Sequence, residues 1–199
     1  QISAIANGTG RDFYGLFQVS AIANIAKKNF YGIGQIGLFN IQGEFDRVTN
    51  SSFYGGIQLG LLSVAENFYG AAQTGLLNGA KNFNGIAQIG GFNITDNFYG
   101  GVQAGLFSGA DNFTGVAQIG VLNIAMKGES EEIAGSFKGL LQAGLFNKNG
   151  ETIIGAQIGA VNFANDFKGV AQIGLINSGE NFKGLSSFGL LSMYESYYG

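Results

Sequence analysis

The chain repeats a phrase of about 15 residues along its whole length, and this repetition constrains its fold more than any local propensity does. The phrase Asn-Phe-Tyr-Gly-Gly-Val-Gln-Ala-Gly-Leu-Phe-Ser-Gly-Ala-Asp occupies residues 97–111, and variants of it begin at Asn67, Asn82 and Asn112. About twelve copies can be counted, including a partial one at the start. The sequence therefore predicts a single repeat domain over residues 1–199.

Three positions of the repeat carry nearly constant residue types, and numbering from the recurring Phe (position 0) makes them visible. Position 0 holds Phe30, Phe53, Phe68, Phe83, Phe98, Phe113, Phe137, Phe167 and Phe182. Position 5 holds Gln35, Gln58, Gln73, Gln88, Gln103, Gln118, Gln142 and Gln172, with Gln157 one residue early. Position 10 holds Asn or Ser, including Asn40, Asn78, Asn93 and Asn123. Glycine recurs between them, mostly at positions 2 and 7.

Charged residues are confined to one phase of the repeat. They make up only 12% of the chain, and positions 2 to 10 of every copy contain none. The spacing lengthens twice, at about 42–52 and about 126–136, and both polar insertions fall at that same charged phase. Because insertions collect in loops, this phase is predicted to be a solvated turn and the remainder to be regular structure.

Short β-strands suit the charge-free segments, since a glycine every five or so residues would be costly in helices. We predict an all-β fold, a single parallel β-solenoid of about twelve coils stacked at ~4.8 Å. The alternative is a transmembrane β-barrel, because nine charge-free residues match a membrane-crossing strand. Against it, the Gln and Asn positions fall on opposite strand parities.

Stacking in register places each residue above its own copy. The Gln and Asn positions are then expected to form amide ladders along the axis, and the Phe column is expected to fill the core. The apolar residues at positions 6, 8 and 9 are also expected to face mostly inward. The last coil departs from the pattern at Ser187 and Tyr194, so residues of about 185–199 are predicted to form a C-terminal cap.

Several classes of function lack the residues they require. The chain has no Cys and no His, and its net charge is −3. Ser-His-Asp and Cys-His catalytic arrangements and the usual zinc and haem ligands are excluded, and no basic footprint for nucleic acid is present. We predict a protein that is not an enzyme, with no catalytic, metal or cofactor-binding residues, no bound nucleic acid and no membrane insertion.

Two groups of residues are candidates for contact with a partner, each with a structural alternative. Position 1 carries Tyr54, Tyr69 and Tyr99, and tyrosines provide large contact areas at low entropic cost; simple stacking between coils is the alternative. The insertions carry Glu44, Asp46 and Arg47, then Glu129, Glu131 and Glu132. These carboxylates either bind calcium or form ordinary solvated loops.

The phrases Gly-Val-Ala-Gln-Ile-Gly-Val-Leu-Asn (115–123) and Gly-Ile-Gly-Gln-Ile-Gly-Leu-Phe-Asn (32–40) resemble the bacterial surface-repeat proteins first named in leptospires. This resemblance implies a cell-surface or secreted protein and brings no catalytic residues with it. Nine uncharged positions in each of about eleven coils could also expose more apolar surface than a soluble monomer usually does. We therefore expect an extracellular structural protein that self-assembles as a homo-oligomer or filament. The alternative is an adhesin that binds glycan or protein through the tyrosines or the insertions.

Overall fold

The computed structural model describes residues 1–43, 51–125, 135–150 and 153–199, with the backbone alone for residues 153 and 154. Every helix or strand assigned in these ranges is a strand. In chain order the strands are β1 (Ile2–Ser3), β2 (Ala6–Thr9), β3 (Phe13–Tyr14), β4 (Phe17–Ser20), β5 (Ala23–Ala26), β6 (Phe30–Tyr31), β7 (Gly34–Ile36), β8 (Phe39–Gln42), β9 (Ser52–Tyr54), β10 (Ile57–Leu59), β11 (Leu62–Ala125), β12 (Ser136–Ala143), β13 (Phe146–Asn149), β14 (Ile153–Ile158), β15 (Val161–Ala164), β16 (Asp166–Ile173), β17 (Ile176–Phe188) and β18 (Leu191–Tyr198).

The described residues group into two compact units, unit 1 (Gln1–Thr95) and unit 2 (Asp96–Gly199). Strand β11 continues through several coils and contributes residues to both. The assignment of all 199 residues to one domain stays a prediction.

A coil of unit 1 consists of three short strands separated by bends. Side A (positions 0 and 1) is the stack of β3, β6 and β9. Side B (positions 3–6) is the stack of β1, β4, β7 and β10 together with the bend residue of position 3 that precedes it. Side C (positions 8–12) is the stack of β2, β5 and β8 together with the bend residue of position 8 that precedes it. Like residues pair from coil to coil, as in Phe13 with Phe30, Gln18 with Gln35 and Asn24 with Asn40.

All the pairings between described strands are parallel. Parallel strands that pair with their own counterparts one coil later form a β-solenoid, so this prediction is confirmed. Antiparallel neighbours, which the alternative architecture requires, do not occur among the described strands.

Four columns of side chains fill the interior of the coils. The Phe of position 0, the Gln of position 5 and the Asn or Ser of position 10 are buried, most of them with no exposed surface. The fourth column is position 12, where small residues such as Ala26, Ala65 and Ala80 are buried. The sequence had not indicated this last column as part of the core.

The prediction that positions 6, 8 and 9 face mostly inward is wrong. Ile89, Leu76 and Leu77 occupy these positions, and they are 49%, 53% and 43% exposed. Successive side chains of a strand point to opposite faces. Once the Gln of position 5 and the Asn of position 10 face inward, positions 4, 6, 9 and 11 must face outward. Position 8 lies in the bend before the strand of side C, as at Leu38, and does not follow this alternation.

Glycine is required at the bend that leads into side C. A β-carbon at Gly90 would lie against the carbonyl oxygen of Gly75 and the side-chain amide of Asn78, both in the preceding coil. Neither atom can move without breaking the stack, because the carbonyl belongs to the backbone and the amide is hydrogen-bonded. The recurring glycine of position 7 therefore permits close approach of neighbouring coils.

Unit 2 repeats this arrangement with one long and one short coil. The rings of Phe113 and Phe137 stack at 4.8 Å although residues 126–134, which lie outside the described ranges, separate them in sequence. The coil containing β14 is one residue short, so its register against β12 shifts beyond Lys138. Gly155 lies where this coil lacks one residue, and its φ of 142° falls in the left-handed region that favours glycine.

Candidate interaction surface

The Gln column is a continuous chain of side-chain hydrogen bonds in each unit. In unit 1, Gln35 Nε2 donates to Gln18 Oε1 at 2.8 Å, and Gln58 Nε2 donates to Gln35 Oε1 at 2.8 Å. In unit 2, Gln142 Nε2 donates to Gln118 Oε1 at 2.7 Å. Each amide group thus donates to the preceding coil. Because these side chains are completely buried, they stabilise the stack and cannot meet a ligand.

The hydrogen bonds of the Asn column run in the opposite direction. Asn24 Nδ2 donates to Asn40 Oδ1 at 2.9 Å, and Asn147 Nδ2 donates to Asn162 Oδ1 at 2.8 Å. Each of these amide groups therefore donates to the following coil. The same Nδ2 atom also donates to a backbone carbonyl of that coil, as Asn24 does to Ile36 at 2.8 Å.

Two serines interrupt the Asn column. Ser63 and Ser108 occupy position 10, and their short side chains do not reach the next coil's amide. Asn78 Oδ1 and Asn123 Oδ1, one coil later in each case, are buried without a hydrogen-bond partner among the described residues. The interruptions thus leave two buried acceptors unsatisfied, a state that costs stability.

The Gln ladder ends on hydroxyl groups near the end of unit 2. Tyr194 Oη donates to Gln172 Oε1, and Ser187 Oγ lies 2.8 Å from Tyr194 Oη. Asn177 Nδ2 donates to the carbonyl of Phe188 at 2.9 Å. These contacts involve the residues predicted to form the cap, and the role of 185–199 as a cap stays a prediction.

The Phe column is equally internal. Phe30 and Phe53 stack at 4.8 Å with their ring planes 5° apart, and Phe98 and Phe113 stack at 4.8 Å with planes 4° apart. These rings have no exposed surface. The residues available to a partner are therefore those that flank the buried columns.

On side A of unit 1, the tyrosines of position 1 form an exposed stack. Tyr31 and Tyr54 lie 5.1 Å apart between ring centroids, and Tyr54 and Tyr69 lie 5.0 Å apart, all nearly parallel. The ring faces cover one another, so ring edges and hydroxyl groups meet the solvent. Burial raises the pKa of Tyr31, and the phenols of Tyr14 and Tyr54 add to the rise.

Position 1 carries different residue types in unit 2. Tyr99 is half-exposed, while Lys138, Lys168 and Lys183 replace the aromatic residues further along. Lys168 and Lys183 occupy paired positions on adjacent coils. Of the three predicted contact tyrosines, the structure therefore stacks Tyr54 on Tyr69 and places Tyr99 in the other unit.

Sides B and C carry the aliphatic residues. On side B of unit 1, Leu16 and Ile86 are each 69% exposed, and Ile33, Leu59 and Ile89 are about half-exposed. On side C, exposed residues of the same kind are Ile22, Leu38, Leu61, Leu76, Leu77 and Ile94. Positions 2 to 10 carry no charge. Sequence reasoning missed the residues of these surfaces at positions 6, 8 and 9 because it assigned them mostly to the interior.

The described residues contain no group of three or more Asp, Glu, His or Cys side chains that could hold a metal ion. The carboxylates of Glu44, Asp46, Glu129, Glu131 and Glu132 and the guanidinium of Arg47 lie outside the described ranges. Within those ranges there is no helix of the length and apolarity needed to cross a membrane.

A comparison of the chain with family models, with curated proteins and with solved structures finds no match. Any functional assignment therefore depends on the side chains described above.

Proposed function

We propose that this chain is a non-enzymatic structural protein of the cell surface or extracellular space, and that it self-associates through the outer surface of its coils. One observation carries the proposal: large aliphatic side chains on sides B and C are about half-exposed, while amide side chains occupy the interior. Soluble monomers rarely expose contiguous apolar patches larger than ~300–600 Å². Contact with further copies would remove these surfaces from water.

The interior supports a structural role. Ladders of buried amides and stacked rings repeat at every coil, so the outer side chains recur at the ~4.8 Å strand spacing. Ladders of apolar side chains at equal spacing can interdigitate with those of another copy, as paired sheets do in steric zippers. The function would then be mechanical, based on repeated contacts between rigid coils.

Self-association is tested by sedimentation velocity without detergent over a wide range of protein concentrations, with electron microscopy of the same samples. We expect species larger than a monomer that grow with concentration. Replacing Leu77 and Ile86 with Lys should reduce their size, since a buried lysine would lose its hydration. A chain that stays monomeric at every concentration would contradict the proposal.

The location outside the cytoplasm is supported by the resemblance of the Gly-x-x-Gln-Ile-Gly-x-x-Asn phrase to bacterial surface-repeat proteins. Protease treatment of intact cells that express the protein tests it. We expect the protein to be digested under conditions that leave a cytoplasmic marker intact. Protection equal to that of the marker would place the protein inside.

A second candidate function is adhesion through the stacked tyrosines of side A. The observation that favours it is the row of exposed ring edges and hydroxyl groups, which suits hydrogen bonding to a glycan more than stacking beneath a sugar ring. Replacing Tyr54, Tyr69 and Tyr99 with Ala should abolish binding to a glycan array and leave assembly unchanged. Asn84, which occupies the same position of its coil, supplies the control: its replacement with Ala should not affect binding.

A further inference from the structure

Each coil of unit 1 has two apolar sides and one polar side. Sides B and C present aliphatic residues, whereas side A presents the tyrosines. The charged residues Asp12, Glu66 and Lys81 immediately precede side A in their coils. Position 7, between side B and side C, carries only glycine or serine in unit 1, so no large apolar side chain joins the two apolar surfaces there.

The size of each surface is comparable to one half of a protein interface. At ~200 Å² for a fully exposed large apolar residue, the exposed fractions on each side of unit 1 correspond to roughly 500–700 Å². A standard interface buries ~800 Å² per partner. One side would therefore nearly supply an interface within unit 1 alone, and pairing through that side would leave the other side exposed to water.

We infer that unit 1 contains two separate lateral interfaces, one on side B and one on side C, and that the occupant of each is another copy of this chain. This inference rests on the proposed function and specifies its geometry. Two copies that pair through a single surface form a closed dimer. Two surfaces at an angle on every copy allow further copies to be added. The assembled species is therefore larger than a dimer.

A second copy fits these sides because it presents the same ladder spacing and the same absence of charge. Each outward residue of one copy can lie between the equivalent residues of two successive coils of the other. No charged side chain at positions 2 to 10 would have to be desolvated in such a contact. A polar or charged partner would find no charged side chain to pair with at positions 2 to 10 of these surfaces.

Three pairs of lysine substitutions of equal charge distinguish the sides. Ile86→Lys with Ile89→Lys alters side B, and Leu77→Lys with Ile94→Lys alters side C. Tyr54→Lys with Tyr69→Lys alters side A and serves as the matched control, because unit 2 carries Lys168 and Lys183 at this position on adjacent coils.

The measurement is the mass distribution by sedimentation velocity in the absence of detergent, with circular dichroism to verify the β-structure of each variant. We expect the parent chain to exceed a dimer, the side A control to match it, and each of the other two pairs to reduce the assembly to a dimer or a monomer. All four substitutions on sides B and C together should give a monomer. Should a lysine pair prevent folding, Ile86→Thr with Ile89→Thr and Leu77→Ser with Ile94→Ser test the same sides with uncharged residues.

Other outcomes would overturn the inference. If the parent chain assembles but one of the two pairs leaves its mass unchanged, that side is not an interface, although self-association itself still holds. A parent chain that assembles only as far as a dimer would also show that one of the two sides is not an interface, although self-association itself would still hold. If the parent chain is monomeric and binds neutral phosphatidylcholine vesicles, a lipid surface covers sides B and C, and the proposed function fails with the inference.

Discussion

The Gln column and the Asn column have the same chemistry but different continuity. In unit 1 the Gln column runs without interruption, from Gln18 through Gln35 and Gln58 to Gln73. The Asn column stops at Ser63 and leaves Asn78 Oδ1 without a donor among the described residues. The difference shows that an amide ladder requires a side chain of sufficient length in every coil, while the backbone stack does not.

The Gln column also provides hydrogen bonds where the Asn column is interrupted. In the coil after Ser63, Gln73 Nε2 donates to the Ser63 carbonyl at 2.9 Å, and Gln118 Nε2 donates to the Ser108 carbonyl at 3.0 Å. A buried carbonyl next to each interruption thus receives a hydrogen bond from the neighbouring column. The continuous column is therefore expected to contribute more to stability than the interrupted one.

The largest effect is expected from breaking the continuous column with Gln35→Leu. The change leaves Gln18 Oε1 without its donor and Gln58 Nε2 without its acceptor, and each unsatisfied buried group costs ~1–3 kcal/mol. We expect the free energy of unfolding to fall by about 2–5 kcal/mol in urea titrations. Ile36→Thr is the control, since Thr74 occupies the same position, and it should change stability by less than ~0.5 kcal/mol.

The bend beside the Asn column is the next most sensitive place. Gly90→Ala would press a β-carbon against the Gly75 carbonyl and the Asn78 amide, and overpacking of this kind costs ~1–3 kcal/mol. At Gly79 the nearest atom would be Val64 Cγ2 at 3.7 Å, so Gly79→Ala should be close to neutral in the same titration. Equal losses for the two variants would show that the Asn column does not constrain the bend.

Repairing the interrupted column should stabilise the protein. Ser63→Asn would supply a donor to Asn78 Oδ1, and a net hydrogen bond contributes ~1 kcal/mol. We expect a gain of that size in the free energy of unfolding. Ser63→Ala removes only a long contact of 3.4 Å between its hydroxyl and the Thr74 carbonyl, and serves as the matched control with little change. A loss of stability in Ser63→Asn would mean that the serine is needed for space.

The smallest effect concerns the hydroxyl group on which the Gln column ends. Burial raises the pKa of Tyr194 above its usual value of 10.0, so the folded protein retains this proton to higher pH than the unfolded chain. The stabilisation is therefore complete below pH 10 and is lost as pH rises through the higher pKa of the folded state. Tyr194→Phe should cost ~0.5 kcal/mol at pH 8, and its difference from the parent chain should diminish above pH 10. A difference that stays constant from pH 8 to pH 12 would contradict this assignment.

Much of the architecture follows from the sequence, because a 15-residue period with charges at one phase leaves few arrangements other than stacked β coils. Gln35 and Asn40 were expected to form ladders from their recurrence alone. The outward position of Ile89 and Leu77 was missed because aliphatic residues were assumed to fill the core. The signal was present nonetheless: these residues are immediate neighbours of Gln88 and Asn78, and strand alternation sends neighbours to opposite faces.

Other features had weaker signals or none. The burial of Ala65 and Ala80 could have been inferred from their position two residues after the Asn or Ser column, on the same strand face. The stacking of Tyr54 on Tyr69 follows from register once the coils are accepted.

The opposite directions of the two amide columns also determine the electric field inside the coils. Amide groups carry dipoles, and dipoles aligned head to tail add up along an axis, as peptide groups do in a helix. Because the Gln amides donate backward and the Asn amides donate forward, the dipole of one column opposes that of the other. Further coils can therefore be stacked with less of the net axial dipole moment that a single aligned column would accumulate.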